Sequence, residues 1–186
     1  MRLNLRVGKA AQLMRDGGIV AYPTESVYGL GCDPLDPAAV ARVMDLKQRN
    51  PEAGFIVIGA ELADVRPYLD VSDAQLQAMR ADWPGPVTWV APCNRDVPAW
   101  LTGGRTTIAV RVTAHPGAAA LCRAFGRGIL STSANRSGRP PAKTALQVRL
   151  RFDEKQIDYV LPGPTGGAVR PTEIRDAATG RVLRAG

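Results

Sequence analysis

Stretches with helical spacing alternate along the chain with short unbroken apolar runs, a pattern that predicts helices interleaved with buried strands. Residues 7–16 carry helical spacing and stop at Gly17-Gly18, a C-cap, before IVAY (19–22) reads as a strand. Asp36 stands as N-cap of a second helix with Pro37 at its first position and Val40, Val43 and Met44 as its apolar stripe. Pro51 disfavours helical backbone in the residue before it, so that helix ends by Asn50. A strand is predicted at 55–58, and Ser72 opens a third helix with Gln75 at capping-box spacing. Strands follow at 87–91 and 107–112, a short helix at 116–125 and a strand at 129–132. A helix at 144–151, a strand at 157–161 and a hairpin around Ala178-Thr179-Gly180 complete the chain. The helices are short, and several strands follow one another without a helix between them. The expectation is therefore a mixed, twisted α/β sheet and not a regular doubly wound one.

Composition narrows the class. With 186 residues, 45% hydrophobic and 22% charged, the chain is long enough for one packed domain and short for two. No stretch reaches the ~18 apolar residues that span a bilayer, and charges interrupt the N-terminal segment where a signal peptide needs an apolar core. A cytoplasmic chain without membrane contact is expected. Cys32, Cys93 and Cys122 are odd in number and form no CxxC, which reads as three buried thiols in a reducing compartment. His115 is the only histidine; it precedes the 116–125 helix and reads as structural or peripheral, not as a general base.

The net charge of +7 suits polyanionic partners such as nucleotides or RNA, and equally a solvated basic surface. The phosphate-binding signatures GxxxxGK[ST] and GxGxxG are absent, as is a GxSxG elbow. Four segments could carry chemistry instead. YPTESVYGLGCD (22–33) reads as a polar, glycine-punctuated loop after a strand, either a pocket lining or an ordinary connection. Lys47 and Arg49 lie at the exit of the second helix, where the helix dipole alone favours cations. Two residues apart, they share no helix face, so joint use requires the chain to unwind at Arg49. Ser131, Ser133 and Asn135 lie where a strand gives way to a loop, the end of an α/β strand at which ligands bind. Arg111 is the lone charge inside TIAVRV; it faces either solvent or a cavity, and in a cavity it is a carboxylate or phosphate clamp.

Taken in order, YPTESVYGLGCD, Lys47-x-Arg49, WPGPVTWV, IAVRV and STSANRSG resemble the YrdC/Sua5 family over nearly the whole chain, in its short form without a further C-terminal domain. The resemblance implies one YrdC-like domain over 1–186, a twisted mixed sheet with flanking helices around a large concave basic cavity. It further implies a nucleotidyltransferase that joins L-threonine, bicarbonate or CO2 and ATP into L-threonylcarbamoyladenylate, releasing pyrophosphate. Other proteins of the t6A pathway would then pass the threonylcarbamoyl group to adenosine 37 of tRNA, which itself meets this chain indirectly or weakly. In the roles implied by the resemblance, Lys47 and Arg49 hold phosphates with Mg2+ sharing the load. Thr88, Ser131, Ser133 and Asn135 bond the nucleotide, while Thr24, Arg111 and Thr172 surround threonine. Ile58 stands where many relatives carry a histidine near threonine. A non-synthase relative of the same fold and an RNA-binding module with a basic concave surface are the alternatives.

Overall fold

The computed structural model describes residues 2–186. Helix α1 (Arg2–Arg15) starts five residues before the predicted span and ends where expected, with Gly17 at φ +81° and Gly18 N–H donating back to Leu13 O. Next come β1 (Val20–Pro23) and β2 (Tyr28–Gly31). They form an antiparallel hairpin pairing Val20 with Gly31 and Pro23 with Tyr28. The strand β2 corrects the reading of 22–33 as one loop: only the turn is polar, while Tyr28 and Leu30 are fully buried. Residues Tyr28–Gly31 alternate with glycines, which lowers their strand propensity, so pairing and burial decide the conformation.

Helix α2 (Pro37–Lys47) is capped by Asp36 Oδ1, which accepts from the Ala38 and Ala39 amides at 2.9 and 3.2 Å. It stops when Gln48 adopts a left-handed conformation (φ 51°), so Lys47 remains helical and Arg49 lies beyond the helix. A tight turn over Pro51–Ala53 leads through Gly54 to β3 (Ile56–Gly59) and the single-turn helix α3 (Leu62–Val65). Helix α4 (Asp73–Ala81) carries the predicted capping box between Ser72 and Gln75. Then follow β4 (Val87–Pro92), the single-turn helix α5 (Ala99–Thr102), β5 (Thr107–Val112), α6 (Pro116–Phe125) and β6 (Ile129–Ser133). Helix α7 (Ala145–Arg151), β7 (Tyr159–Val160) and the hairpin β8 (Glu173–Asp176) and β9 (Val182–Arg184) complete the order.

The nine strands form one mixed sheet in the order β7-β1-β2-β6-β3-β5-β4-β8-β9. Pairs β1/β7, β3/β5 and β4/β8 are parallel and the others antiparallel. Because side chains alternate along a strand, each face builds its own core. Ile19, Ala21, Leu30, Val57, Val110 and Leu130 pack on one face with α2 and α4. Val20, Tyr22, Ile58 and Ile129 point the other way, against α1 and α6. Those two helices cover only part of that second face. Farther along it Thr107, Ala109 and Arg111 of β5 and Ser131 and Ser133 of β6 border open space. The second face is apolar under α1 and α6 and carries polar side chains beyond them, and the site lies on that uncovered part.

Candidate active site

A cavity of about 660 Å³ opens over the uncovered sheet face, within the ~300–1,000 Å³ usual for small-molecule sites. Its lining contains four arginines (Arg49, Arg105, Arg111 and Arg184) and no aspartate or glutamate among the described residues. An excess of that kind in a concave, partly desolvated space attracts anions.

Arg111 lies at the centre, 4% exposed on a middle strand of the sheet. Its Nη1 donates to Thr88 Oγ1 at 3.2 Å and to Thr172 Oγ1 at 2.9 Å, while Nη2 meets Glu25 Oε2 at 3.3 Å. Nε–H is buried with no partner. Of five N–H donors, three are therefore used, and the guanidinium keeps donors free for a ligand oxygen. Glu25 is held in turn by Thr113 Oγ1, which donates to Oε1 at 2.5 Å. Burial alone would raise the Glu25 carboxyl, but the Arg111 guanidinium and the Thr113 hydroxyl outweigh it and hold it below its ordinary value. The sequence reading missed Glu25. Its signal was present: a carboxylate flanked by uncharged residues in the 22–33 segment and a lone cation inside an apolar strand are each too costly to bury singly.

The other expected residues fall into two groups. Thr24, Arg49, Arg111, Ser131, Ser133 and Thr172 line the cavity together. Ser131 Oγ accepts from the Tyr22 hydroxyl at 2.7 Å, which leaves its own proton for a ligand. Thr24 Oγ1 donates to Val27 O at 2.7 Å, closing the turn between β1 and β2. Arg49 donates from Nε to Gly54 O at 3.0 Å and stacks over the Phe55 ring at 5.2 Å.

Lys47, Thr88 and Asn135 stand behind the lining. Lys47 is 2% exposed, and Nζ donates to Ser133 O (2.5 Å), Asn135 O (2.8 Å) and Asn135 Oδ1 (3.1 Å). An ammonium has three donors, so reaching a phosphate would mean releasing one of these bonds. Burial, and secondly the charge of Arg49, lowers its pKa to about 8. Thr88 is fully buried, and its hydroxyl oxygen accepts from Arg111 Nη1. The Asn135 amide nitrogen donates to the Arg136 and Arg139 carbonyls, at 3.0 and 2.6 Å. These three residues shape the wall that the cavity residues occupy.

Two further expectations meet the structure here. Ile58 is fully buried in the second core with α6 and does not itself line the cavity, although it is the β3 partner of Arg111 on β5. His115 caps α6: Nδ1 accepts from the Ala118 amide at 3.2 Å and Nε2 lies 3.1 Å from Pro164 O, which selects the neutral Nε2–H tautomer. Cys32 and Cys122 are buried, and burial pushes both thiols up, whereas Cys93 is only half-buried. Arg105 and Arg184 were not anticipated. Arg184 belongs to the terminal hairpin and donates to Thr172 O at 2.7 Å, closing the cavity from the β9 side.

Comparison with known proteins places the chain. Residues 12–186 match the Sua5/YciO/YrdC family model, described as telomere recombination. The chain is 55% identical over 183 residues to a threonylcarbamoyl-AMP synthase of Alkalilimnicola ehrlichii, covering 97% of this chain and 95% of that one. A synthase of the same name from Nitrosococcus oceani is 53% identical over 182 residues, covering 97% and 98%. Among solved structures, Sua5 of P. abyssi in complex with L-threonine superimposes with a TM-score of 0.90 at 32% identity. That match covers 97% of this chain but only 54% of Sua5, so this chain spans about half the Sua5 length. E. coli YciO superimposes with a TM-score of 0.81 at 30% identity, covering 93% of this chain and 84% of YciO. On sequence and on fold alike, the chain belongs to the Sua5/YciO/YrdC family.

Proposed function

We propose that this chain is a threonylcarbamoyl-AMP synthase, which converts L-threonine, bicarbonate or CO2 and ATP to L-threonylcarbamoyladenylate and pyrophosphate. The observation that carries this reading is the 45–55% identity, nearly end to end, with proteins of that name. The cavity agrees with it, because every substrate in that set is anionic or becomes so.

The threonine amine captures CO2 as a carbamate and loses a proton. A carbamate oxygen then attacks the α-phosphorus in line, and the bond to pyrophosphate breaks. No protein nucleophile enters, so the site has to supply position and charge compensation. Arg111 is suited to the threonine carboxylate: it is fixed on three sides and retains the unpaired Nε–H. Thr24 and Thr172 border the same region, whereas Arg49 serves the phosphates, and Ser131 and Ser133 bond the nucleotide. Lys47 and Asn135 act through Ser133, whose hydroxyl donates to Asn135 Oδ1 at 2.6 Å, and Thr88 acts through Arg111.

A protein-held Mg2+ does not fit these residues. The cavity lining has no carboxylate, the oxygens of Glu25 are engaged, and no three potential metal ligands cluster among the described residues. Mg2+ therefore arrives as MgATP, on phosphate oxygens and water. On this reading the whole chain is one catalytic domain, its product passes to other t6A-pathway proteins, and tRNA is modified at a later step. The chain is read as cytoplasmic; among the described residues no helix is long and apolar enough to cross a membrane.

The test is pyrophosphate release from MgATP in bicarbonate buffer, with and without L-threonine. Release that requires both threonine and bicarbonate supports the synthase. Release indifferent to threonine, from protein that melts cooperatively, overturns it.

A further inference from the structure

Arg105 follows two glycines with positive φ, Gly103 (65°) and Gly104 (79°), on the turn leaving α5, and it lines the cavity. Its Nη1 donates to Glu52 O at 2.6 Å. Its Nη2 lies 3.0 Å from where a Cβ at Gly54 would stand. Gly54 itself has φ +59° with Leu101 O in equally close approach, so this turn has no room for a side chain. Arg49 grips the same turn from its other side, through Gly54 O at 3.0 Å and Ala53 O at 3.4 Å. Two guanidinium groups thus share the four residues Pro51–Gly54, and among the described residues neither is paired with a carboxylate.

Arg49 is half-buried and Arg105 exposed; like charges held on one turn repel, and a protein that only needed the turn strapped would gain more from a neutral donor. Burial, and next the charge of Arg105, holds the Arg49 guanidinium below its ordinary value. Three of the ten N–H donors of the two groups go to backbone carbonyls, which leaves seven for a ligand. A diphosphate has the charge and the oxygen count to use them. We infer that Arg105 is the second arm of a two-arginine clamp with Arg49 that binds the pyrophosphate portion of the nucleotide and retains pyrophosphate after transfer.

This assignment rests on the nucleotide-dependent reading above, but its test does not require turnover. Inorganic pyrophosphate is titrated calorimetrically into wild type, Arg105→Ala and Arg105→Gln; glutamine keeps a donor for Glu52 O and removes the charge. The expected result is a Kd for pyrophosphate weakened about 10- to 100-fold in both variants, the size of one lost charge-assisted contact. In steady-state assays the KM for ATP rises in step while the KM for threonine stays within twofold. Wild-type affinity falls as salt rises. If Arg105→Gln melts like wild type and binds pyrophosphate within twofold of it, Arg105 only straps the turn and the inference is wrong. It is equally wrong if wild type binds no pyrophosphate at millimolar concentration. Arg105-dependent pyrophosphate binding without threonine-dependent turnover would retain the clamp and discard the synthase.

Discussion

Replacing Glu25 with glutamine removes one charge and almost no volume from the pair that fixes Arg111. The two side chains are 5% and 10% exposed, so Arg111 would be left as a buried cation without its counter-ion. Breaking such a pair by removing one partner costs about 3–5 kcal/mol. Glutamine retains an acceptor for Thr113, which places the expected loss near the lower end, about 3 kcal/mol. For a chain of this size that corresponds to a Tm lower by roughly 6–12 °C at pH 7. Acid provides an internal control. The folded pKa of Glu25 lies below its ordinary 4.5, so its contribution is complete above that value and is lost as pH falls through the folded pKa. Thermal unfolding of wild type and Glu25→Gln from pH 7 to pH 3 should therefore give curves that draw together on the acid side, as the wild-type contribution of Glu25 is progressively lost. A Tm difference under 2 °C at pH 7, or one that persists unchanged at pH 3, would refute the argument. In the assay with substrates, the KM for threonine should rise more than the KM for ATP, because Arg111 is the group set free.

Lys47→Met leaves the Ser133 and Asn135 oxygens without their donor, so it should lower stability by at least about 2 kcal/mol as well as reduce turnover, measured by urea unfolding beside pyrophosphate release. Arg49→Ala, at a residue that faces the cavity, should instead abolish ATP-dependent turnover with a much smaller shift in Tm. Thr88→Val preserves shape and removes an acceptor from Arg111; the KM for threonine should rise about tenfold with the KM for ATP nearly unchanged. Ile58→His places an imidazole in the core against α6 and should cost about 1–3 kcal/mol in thermal unfolding without tightening threonine binding.

Elements whose causes are local were legible along the chain. Asp36-Pro37 and Ser72 with Gln75 carry their helix starts in adjacent residues, and the β8–β9 hairpin turns where Asp176 Oδ1 accepts from the Ala178 and Thr179 amides. The motif order likewise sufficed to anticipate the family and six residues that line the cavity. Hidden from that reading were β2, whose glycine-rich segment becomes a strand by pairing with β1 and β6, and the standing of Lys47, Thr88 and Asn135 behind the wall. Arg105 and Glu25 were hidden for the same reason: each meets its partner across a large separation, 53 residues to Glu52 and 86 to Arg111.

By itself the sequence determined where helices begin, which runs are buried and which residue types are available for phosphate and carboxylate chemistry, since each of these follows from neighbours a few positions apart. Only the tertiary structure decided which cations face the cavity. That choice depends on the order of nine strands and on α1 and α6 covering one part of a sheet face and leaving the rest open. Two charges 86 residues apart become a fixed pair only when the β1–β2 turn reaches Arg111 of β5 and water is removed from both.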